Sequence, residues 1–89
     1  MRYQDTKEFR KSLTRLPKAI QIQVLEAIES IEEANTMNDI VNFKTLKGYR
    51  NYARIRVGNY RIGLFWDGAM FLIESVGTRG DFYKTYPPK

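Results

Sequence analysis

Tyr52-Ala53-Arg54-Ile55-Arg56-Val57-Gly58-Asn59-Tyr60-Arg61-Ile62-Gly63-Leu64-Phe65-Trp66 alternates in polarity on both sides of its Gly-Asn pair. Side chains on a strand point alternately to opposite faces, so this pattern predicts two antiparallel strands, Tyr52–Val57 and Tyr60–Trp66, joined by a two-residue turn. With Gly58-Asn59 as the turn, Val57 faces Tyr60, Arg56 faces Arg61, Ile55 faces Ile62, Arg54 faces Gly63 and Ala53 faces Leu64. One face then carries Ala53, Ile55, Val57, Ile62 and Leu64, an apolar surface for packing. The other carries Arg54, Arg56 and Arg61, with Gly63 as open floor beside Arg54. Like charges opposed across a ladder disfavour pairing. Three guanidiniums around a gap suit a phosphate, because arginine presents fixed donors matched to phosphate oxygens.

Downstream, Asp67-Gly68 is a second hairpin signal, and Met70–Val76 is the next strand. A two-residue turn there sets Glu74 opposite Arg61, where one carboxylate would partly offset three guanidiniums. A one-residue slip would instead put Phe71 and Ile73 beside the arginines. Upstream, Phe43–Leu46 is a further strand, followed by a turn around Gly48, and the polar stretch Asn35–Asn42 is a crossing loop. Before that loop the period is helical. Ile20, Val24, Ile28 and Ile31 form one stripe, widened by Leu25 and Ala27, in a helix from Pro17 to about Ala34. Phe9, Leu13 and Leu16 mark another over residues 6–15, with Asp5 as N-cap and Glu8 completing a capping box. Met1–Tyr3 is a short strand, and Asp81–Tyr86 a short tail, helical or irregular, before Pro87-Pro88. The expected fold is α+β: an N-terminal helical hairpin packed on one face of a twisted antiparallel β-sheet, with a short C-terminal tail.

The chain has 89 residues, the size of one domain spanning residues 1–89. It contains neither His nor Cys, which removes disulfides, Cys- and His-based metal sites and His-dependent nucleophilic catalysis. An enzyme built from this chain works with Arg, Lys, Tyr and a few carboxylates, and no metal or other cofactor is expected. Residues 1–33 hold six bases and six acids, whereas residues 34–89 hold nine bases and four acids and so carry the whole net charge of +5. Lys44, Lys47, Arg50, Arg54, Arg56 and Arg61 follow one another with no acid between Asp39 and Asp67. A local excess of this kind points to a polyanionic partner. Glu26, Glu29, Glu32 and Glu33 read as the solvated face of the second helix. No apolar run resembles a signal peptide or a membrane span, so a cytoplasmic protein without membrane contact is expected.

Leu46-Lys47-Gly48-Tyr49-Arg50-Asn51-Tyr52-Ala53-Arg54-Ile55-Arg56-Val57-Gly58-Asn59-Tyr60-Arg61-Ile62 resembles the central signature of the RelE/ParE superfamily of type II toxins. Val76-Gly77-Thr78-Arg79-Gly80-Asp81-Phe82-Tyr83 is similar to the family's C-terminal strand and tail, often written H-R-x-D-x-Y. With a helical hairpin before them, the two segments cover essentially the whole chain. The resemblance implies two helices against a twisted antiparallel sheet. In the RelE branch it further implies an endoribonuclease whose open sheet face cleaves mRNA, usually in the ribosomal A site, and which a cognate antitoxin holds inactive.

Position by position, the resemblance carries basic roles to Arg54 and Arg56 of the central strand, to Arg61 opening the next strand and to Arg79 of the C-terminal motif. Tyr83 matches the motif's aromatic residue, while Thr78 stands where many relatives have His. The expected catalytic set is Arg56, Arg61, Arg79 and Tyr83. Lys44, Lys47, Arg50 and Arg54 are the expected RNA-binding residues, and mRNA, the ribosome and an antitoxin are the expected partners. Arginine has too high a pKa to act as a general base, which leaves Tyr83, or Glu74 as a spare, for proton transfer. Two other functions share the fold: a ParE-like inhibitor that binds DNA gyrase without chemistry, and a degenerate toxin acting only in an antitoxin complex.

Overall fold

In the computed structural model, which describes residues 1–88, the alternating stretch forms strands β3 (Tyr52–Val57) and β4 (Tyr60–Trp66) of a five-stranded sheet. The chain runs β1 (Tyr3–Asp5), α1 (Lys7–Thr14), α2 (Lys18–Glu33), a 3₁₀ turn at Met37–Asp39, β2 (Phe43–Thr45), β3, β4, β5 (Phe71–Thr78) and α3 (Arg79–Thr85). The strand order is β1-β5-β4-β3-β2. Strands β2 to β5 form an antiparallel meander, and β1 joins the edge in parallel with β5, pairing Tyr3 with Phe71 and Asp5 with Ile73. The class is α+β as expected, but the sheet is mixed. A parallel pair needs a long crossover, and the helices and meander between β1 and β5 supply it.

The helical hairpin covers one face. Phe9 of α1 and Val24, Ile28 and Ile31 of α2 close over Ala53, Ile55, Ile62, Leu64, Phe71, Ile73 and Val76 of the sheet. Each large apolar side chain removed from water contributes about 1.5–3 kcal/mol, which is why the period-2 and period-3.6 stripes settle against each other. Leu25 marks the limit of the helical stripe: instead of widening it, the side chain is 44% exposed. The Met1 nitrogen reaches the last turn of α2 and donates to Ile31 O (2.7 Å), which Ala34 N also meets (3.1 Å), and to Glu32 O (3.2 Å), adding donors at a helix end that is short of them. Among the described residues, no helix is long and apolar enough to cross a membrane.

Thr6, not Asp5, caps α1. Its Oγ1 accepts from Phe9 N (3.2 Å) and donates to Ile73 O (2.9 Å), because pairing with β5 keeps Asp5 within β1. Asp5 instead pairs with Arg10 at 3.2 Å, and the capping box forms at Thr36 and Asp39. Pro17 sits one place earlier than expected, as the extended residue before α2.

The β3–β4 hairpin has the expected register, including Arg56 with Arg61 and Arg54 with Gly63. The next hairpin is wider. Trp66 pairs with Phe71, Asp67 N donates to Met70 O (3.1 Å), and a bulge follows at Gly63/Leu64. Together these set Gly77, not Glu74, across from Arg61. Asp67 determines the wider loop: its Oδ1 accepts from the backbone N–H groups of Ala69 and Met70, both at 2.8 Å, the Asx geometry that competes with a tight turn.

Phe71 is fully buried and meets Phe43 and Trp66 edge-on, with ring centroids 5.7 and 4.9 Å away. Phe71→Ala is expected to cost about 3–5 kcal/mol in urea unfolding. The hydrogen bonds from Met70 and Ala69 lower the Asp67 carboxyl below its usual 3.8. The stabilisation from a carboxylate lowered on folding is complete above that usual value and is lost as pH falls through the lower, folded one. Asp67→Asn is therefore expected to remove part of the acid destabilisation seen below pH 3.8 when unfolding midpoints are measured against pH.

Candidate functional site

The face of the sheet away from the α1–α2 hairpin is built by strand alternation. Lys44 on β2 pairs with Arg54, Arg54 with Gly63, and Arg56 with Arg61, so one face collects four cations from three neighbouring strands. Opposed like charges are disfavoured, and the local structure meets this with backbone oxygens. Arg54 Nη1 donates to Asn42 O (2.7 Å), and Arg56 Nη2 lies 3.5 Å from Asn42 Oδ1. Asn42 adopts φ 61°, a left-handed conformation that Asn tolerates better than most residues, and so turns its carbonyl and side chain toward both arginines. Its place at the end of a polar loop was the only sequence signal for this role.

Arg61 is only 9% exposed, yet among the described residues no carboxylate pairs with it. Its Nη1 donates to Gly58 O (2.9 Å) and Tyr60 O (3.0 Å), folding the guanidinium back onto the hairpin turn. The ion pairs among the described residues are Arg10–Asp5 and Lys84–Asp81, both away from this face. Among the described residues, carbonyl oxygens and no carboxylates therefore meet Arg54, Arg56 and Arg61, and the face keeps its positive field.

Arg79 opens α3 at the same end of the sheet. Thr78 pairs with Tyr60, and Arg79 N donates to Asn59 O (2.8 Å), which brings Arg79 beside the turn that also holds Arg61. Thr78 caps the helix, its Oγ1 accepting from Asp81 N (3.4 Å). Tyr83, one turn further along, is 47% exposed and meets Phe82 edge-on at 4.9 Å. Lys47 and Arg50 are not part of this group. They are exposed in the loop before β3, where a turn closed by Tyr52 N on Tyr49 O (3.2 Å) holds Arg50 outside the strand ladder.

Gly63 is not open floor. The ring of Tyr86 lies on it, so closely that an added Cβ would stand 2.7 Å from Tyr86 Cζ. Tyr86 is 5% exposed and its hydroxyl donates to Glu74 Oε1 (2.9 Å). Burial first, and then the negative charge of Glu74, push the Tyr86 phenol well above its ordinary value, so it remains a donor. Glu74 thus serves Tyr86, not Arg61. Tyr52 joins the same cluster, with Phe65 at 4.9 Å and Tyr86 at 5.7 Å. The arginine face is therefore divided: aromatic side chains cover one end, while Arg56, Arg61 and Arg79 hold the turn end. Sequence reasoning missed Tyr86, and the available signal was Gly63 itself, since glycine inside a strand often marks the close approach of another group.

A groove of about 420 Å³ between α1, β5 and α3, lined by Arg15, Val76, Phe82 and Lys84 among others, contains none of the sheet arginines. The candidate site is instead an open, positively charged surface, shaped for an extended anion.

No protein-family model matches the chain. It is 39% identical over 82 residues to Toxin RelE3 of Methanocaldococcus jannaschii, covering 91% of this chain and 93% of that protein. The RelB–RelE antitoxin–toxin complex from Methanococcus jannaschii contains a chain of the same fold, with 36% identity, a TM-score of 0.78, and coverage of 93% of this chain and 98% of that one. The archaeal RelE–RelB complex from Pyrococcus horikoshii is also similar, at 26% identity and a TM-score of 0.69, covering 91% and 97% of the two chains. With its helical hairpin, its sheet register and this degree of identity, the chain belongs to the RelE family of toxins of toxin–antitoxin systems.

Proposed function

We propose that this toxin is a metal-independent endoribonuclease that cleaves mRNA in the ribosomal A site of the cytoplasm, and that a cognate antitoxin holds it inactive. The observation that carries the reading is the gathering of Arg56, Arg61 and Arg79 around one turn of the sheet, with no carboxylate among the described residues paired to them. The antitoxin follows from the relatives, whose structures are RelB–RelE complexes.

The chemistry is an in-line displacement. The ribose 2′-oxygen attacks the adjacent phosphorus, the bond from phosphorus to the 5′-oxygen breaks, and a 2′,3′-cyclic phosphate and a 5′-hydroxyl result. The 2′-hydroxyl loses a proton and the leaving oxygen gains one. The phosphorane-like transition state carries more negative charge than the ground state, so preorganised cations lower the barrier. Arg61 supplies one: the turn carbonyls occupy Nη1, leaving the donors on Nε and Nη2 for a phosphate. Arg79 grips the same phosphate from α3, and Arg56 stabilises the leaving oxygen. Tyr83, exposed at the same helix, stacks on a base or, as its phenolate, takes the 2′-proton, and the leaving 5′-oxygen takes its proton from solvent water. Arg54 and Lys44 hold the backbone, with Lys47 and Arg50 contacting RNA beyond the site.

Induction of the chain from a repressed promoter, with transcript 5′ ends mapped by primer extension, tests this. New cuts within translated codons are expected, and Arg61→Ala and Arg79→Ala are each expected to slow cleavage about 100-fold or more while melting near the wild-type temperature. Retained cleavage in both variants, or growth arrest with intact transcripts, would refute the reading. Because Lys44 and Arg54 are assigned to backbone phosphates, alanine at either should lower the slope of log affinity against log salt by about 0.7 for single-stranded RNA.

A further inference from the structure

Helix α3 has seven residues, too few to hold its own shape in water, yet it carries Arg79 and Tyr83. Its first turn is tied by the Thr78 cap and by Arg79 N–H on Asn59 O. Phe82 is buried beneath it. Its far end is tied by Tyr86, whose N–H donates to Phe82 O (2.9 Å). The Tyr86 ring lies across Gly63, where a Cβ would stand 2.7, 2.8 and 2.9 Å from Cζ, Cε2 and Cε1, so only glycine admits the ring at this depth. Tyr52 and Phe82 flank it with centroids at 5.7 and 5.0 Å, and Glu74 receives its hydroxyl at 2.9 Å. Gly63 belongs to the same strand and face as Arg61 and pairs with Arg54. The far end of α3 is thus anchored to the strand that carries a proposed phosphate ligand.

We propose that Tyr86 is a positioning residue: seated on Gly63 and bonded to Glu74, it sets where α3 holds Arg79 and Tyr83 relative to Arg56 and Arg61. The inference rests on the nuclease reading of this face. Tyr86 itself need not touch RNA. A side chain at position 63 lifts the ring and displaces the far end of α3, while the core on the opposite face is untouched. Such a shift alters the alignment of the reacting phosphate and leaves backbone capture by Lys44 and Arg54 in place. The consequence falls on the maximal rate, not on the half-saturating concentration.

The test is cleavage of a translated mRNA in a reconstituted translation system under single-turnover conditions, with thermal unfolding of each protein in parallel. Tyr86→Phe keeps the ring and loses the hydroxyl, and its maximal rate is expected to fall about fivefold, the worth of one hydrogen bond. Gly63→Ala displaces the ring and is expected to lose about 100-fold, as misplacement of a reacting group does. Both should keep the wild-type half-saturating concentration. Tyr86→Phe decides the matter if Gly63→Ala fails to fold. A wild-type maximal rate in Tyr86→Phe, or a change confined to the half-saturating concentration, overturns the positioning role. Inactive Arg61→Ala alongside that result leaves the nuclease reading standing. Wild-type protein that cuts nothing, or Arg61→Ala and Arg79→Ala both as active as wild type, overturns both together.

Discussion

The pairing of Val57 with Tyr60 across the Gly58-Asn59 turn is the constraint on which both faces of this toxin depend. A strand has a period of two, so one residue of slip would exchange the faces of the strand that slips. If β4 slipped against β3, Ile62 would meet solvent and Arg61 would be driven toward the apolar core. The hydrophobic contact that holds α2 on the sheet and the positive field of the opposite face are thus two consequences of one register. Neither can be changed alone.

The arginines bring a physical difficulty that the surrounding backbone answers. Arg56 and Arg61 are directly opposed, and Arg61 is nearly buried, an arrangement that ordinarily calls for a carboxylate partner. Here carbonyl groups take that place: Asn42 serves Arg54, with its side chain near Arg56, and Gly58 and Tyr60 serve Arg61. A carbonyl orients a guanidinium without cancelling its charge. A carboxylate would have stabilised the fold more and left less field for an anion. Glu74, the acid expected opposite Arg61, is instead bonded to the Tyr86 hydroxyl.

The C-terminal segment acts in the same economy of parts. Thr78 ends β5 and caps α3. Two residues of α3 with proposed roles, Arg79 and Tyr83, depend for their placement on a cap, a backbone bond to Asn59 and a tyrosine beyond the helix. Residues 79–86 therefore extend the site and also seal the half of the arginine face that Tyr52 and Phe65 occupy.

Much of this was legible in the amino-acid order. Strands β3 and β4, their turn, their pairing and the face that carries Arg54, Arg56 and Arg61 follow from alternation around Gly58-Asn59, because a two-residue turn leaves a single register. The two helices follow from apolar spacing and Pro17. Elements set by contacts distant in sequence were not legible. The cap of α1 passed to Thr6 because β5 holds Asp5 in the sheet, and Glu74 moved away from Arg61 because the Asp67 side chain widened one loop and a bulge followed. Gly63 looked vacant because nothing local reveals that Tyr86, 23 positions later, covers it. Local order determined which residues share a strand face, through steric alternation of the backbone. Only the tertiary structure decided which of those residues stay open to an anion, because burial, carbonyl partners and the path of α3 depend on atoms brought together by folding.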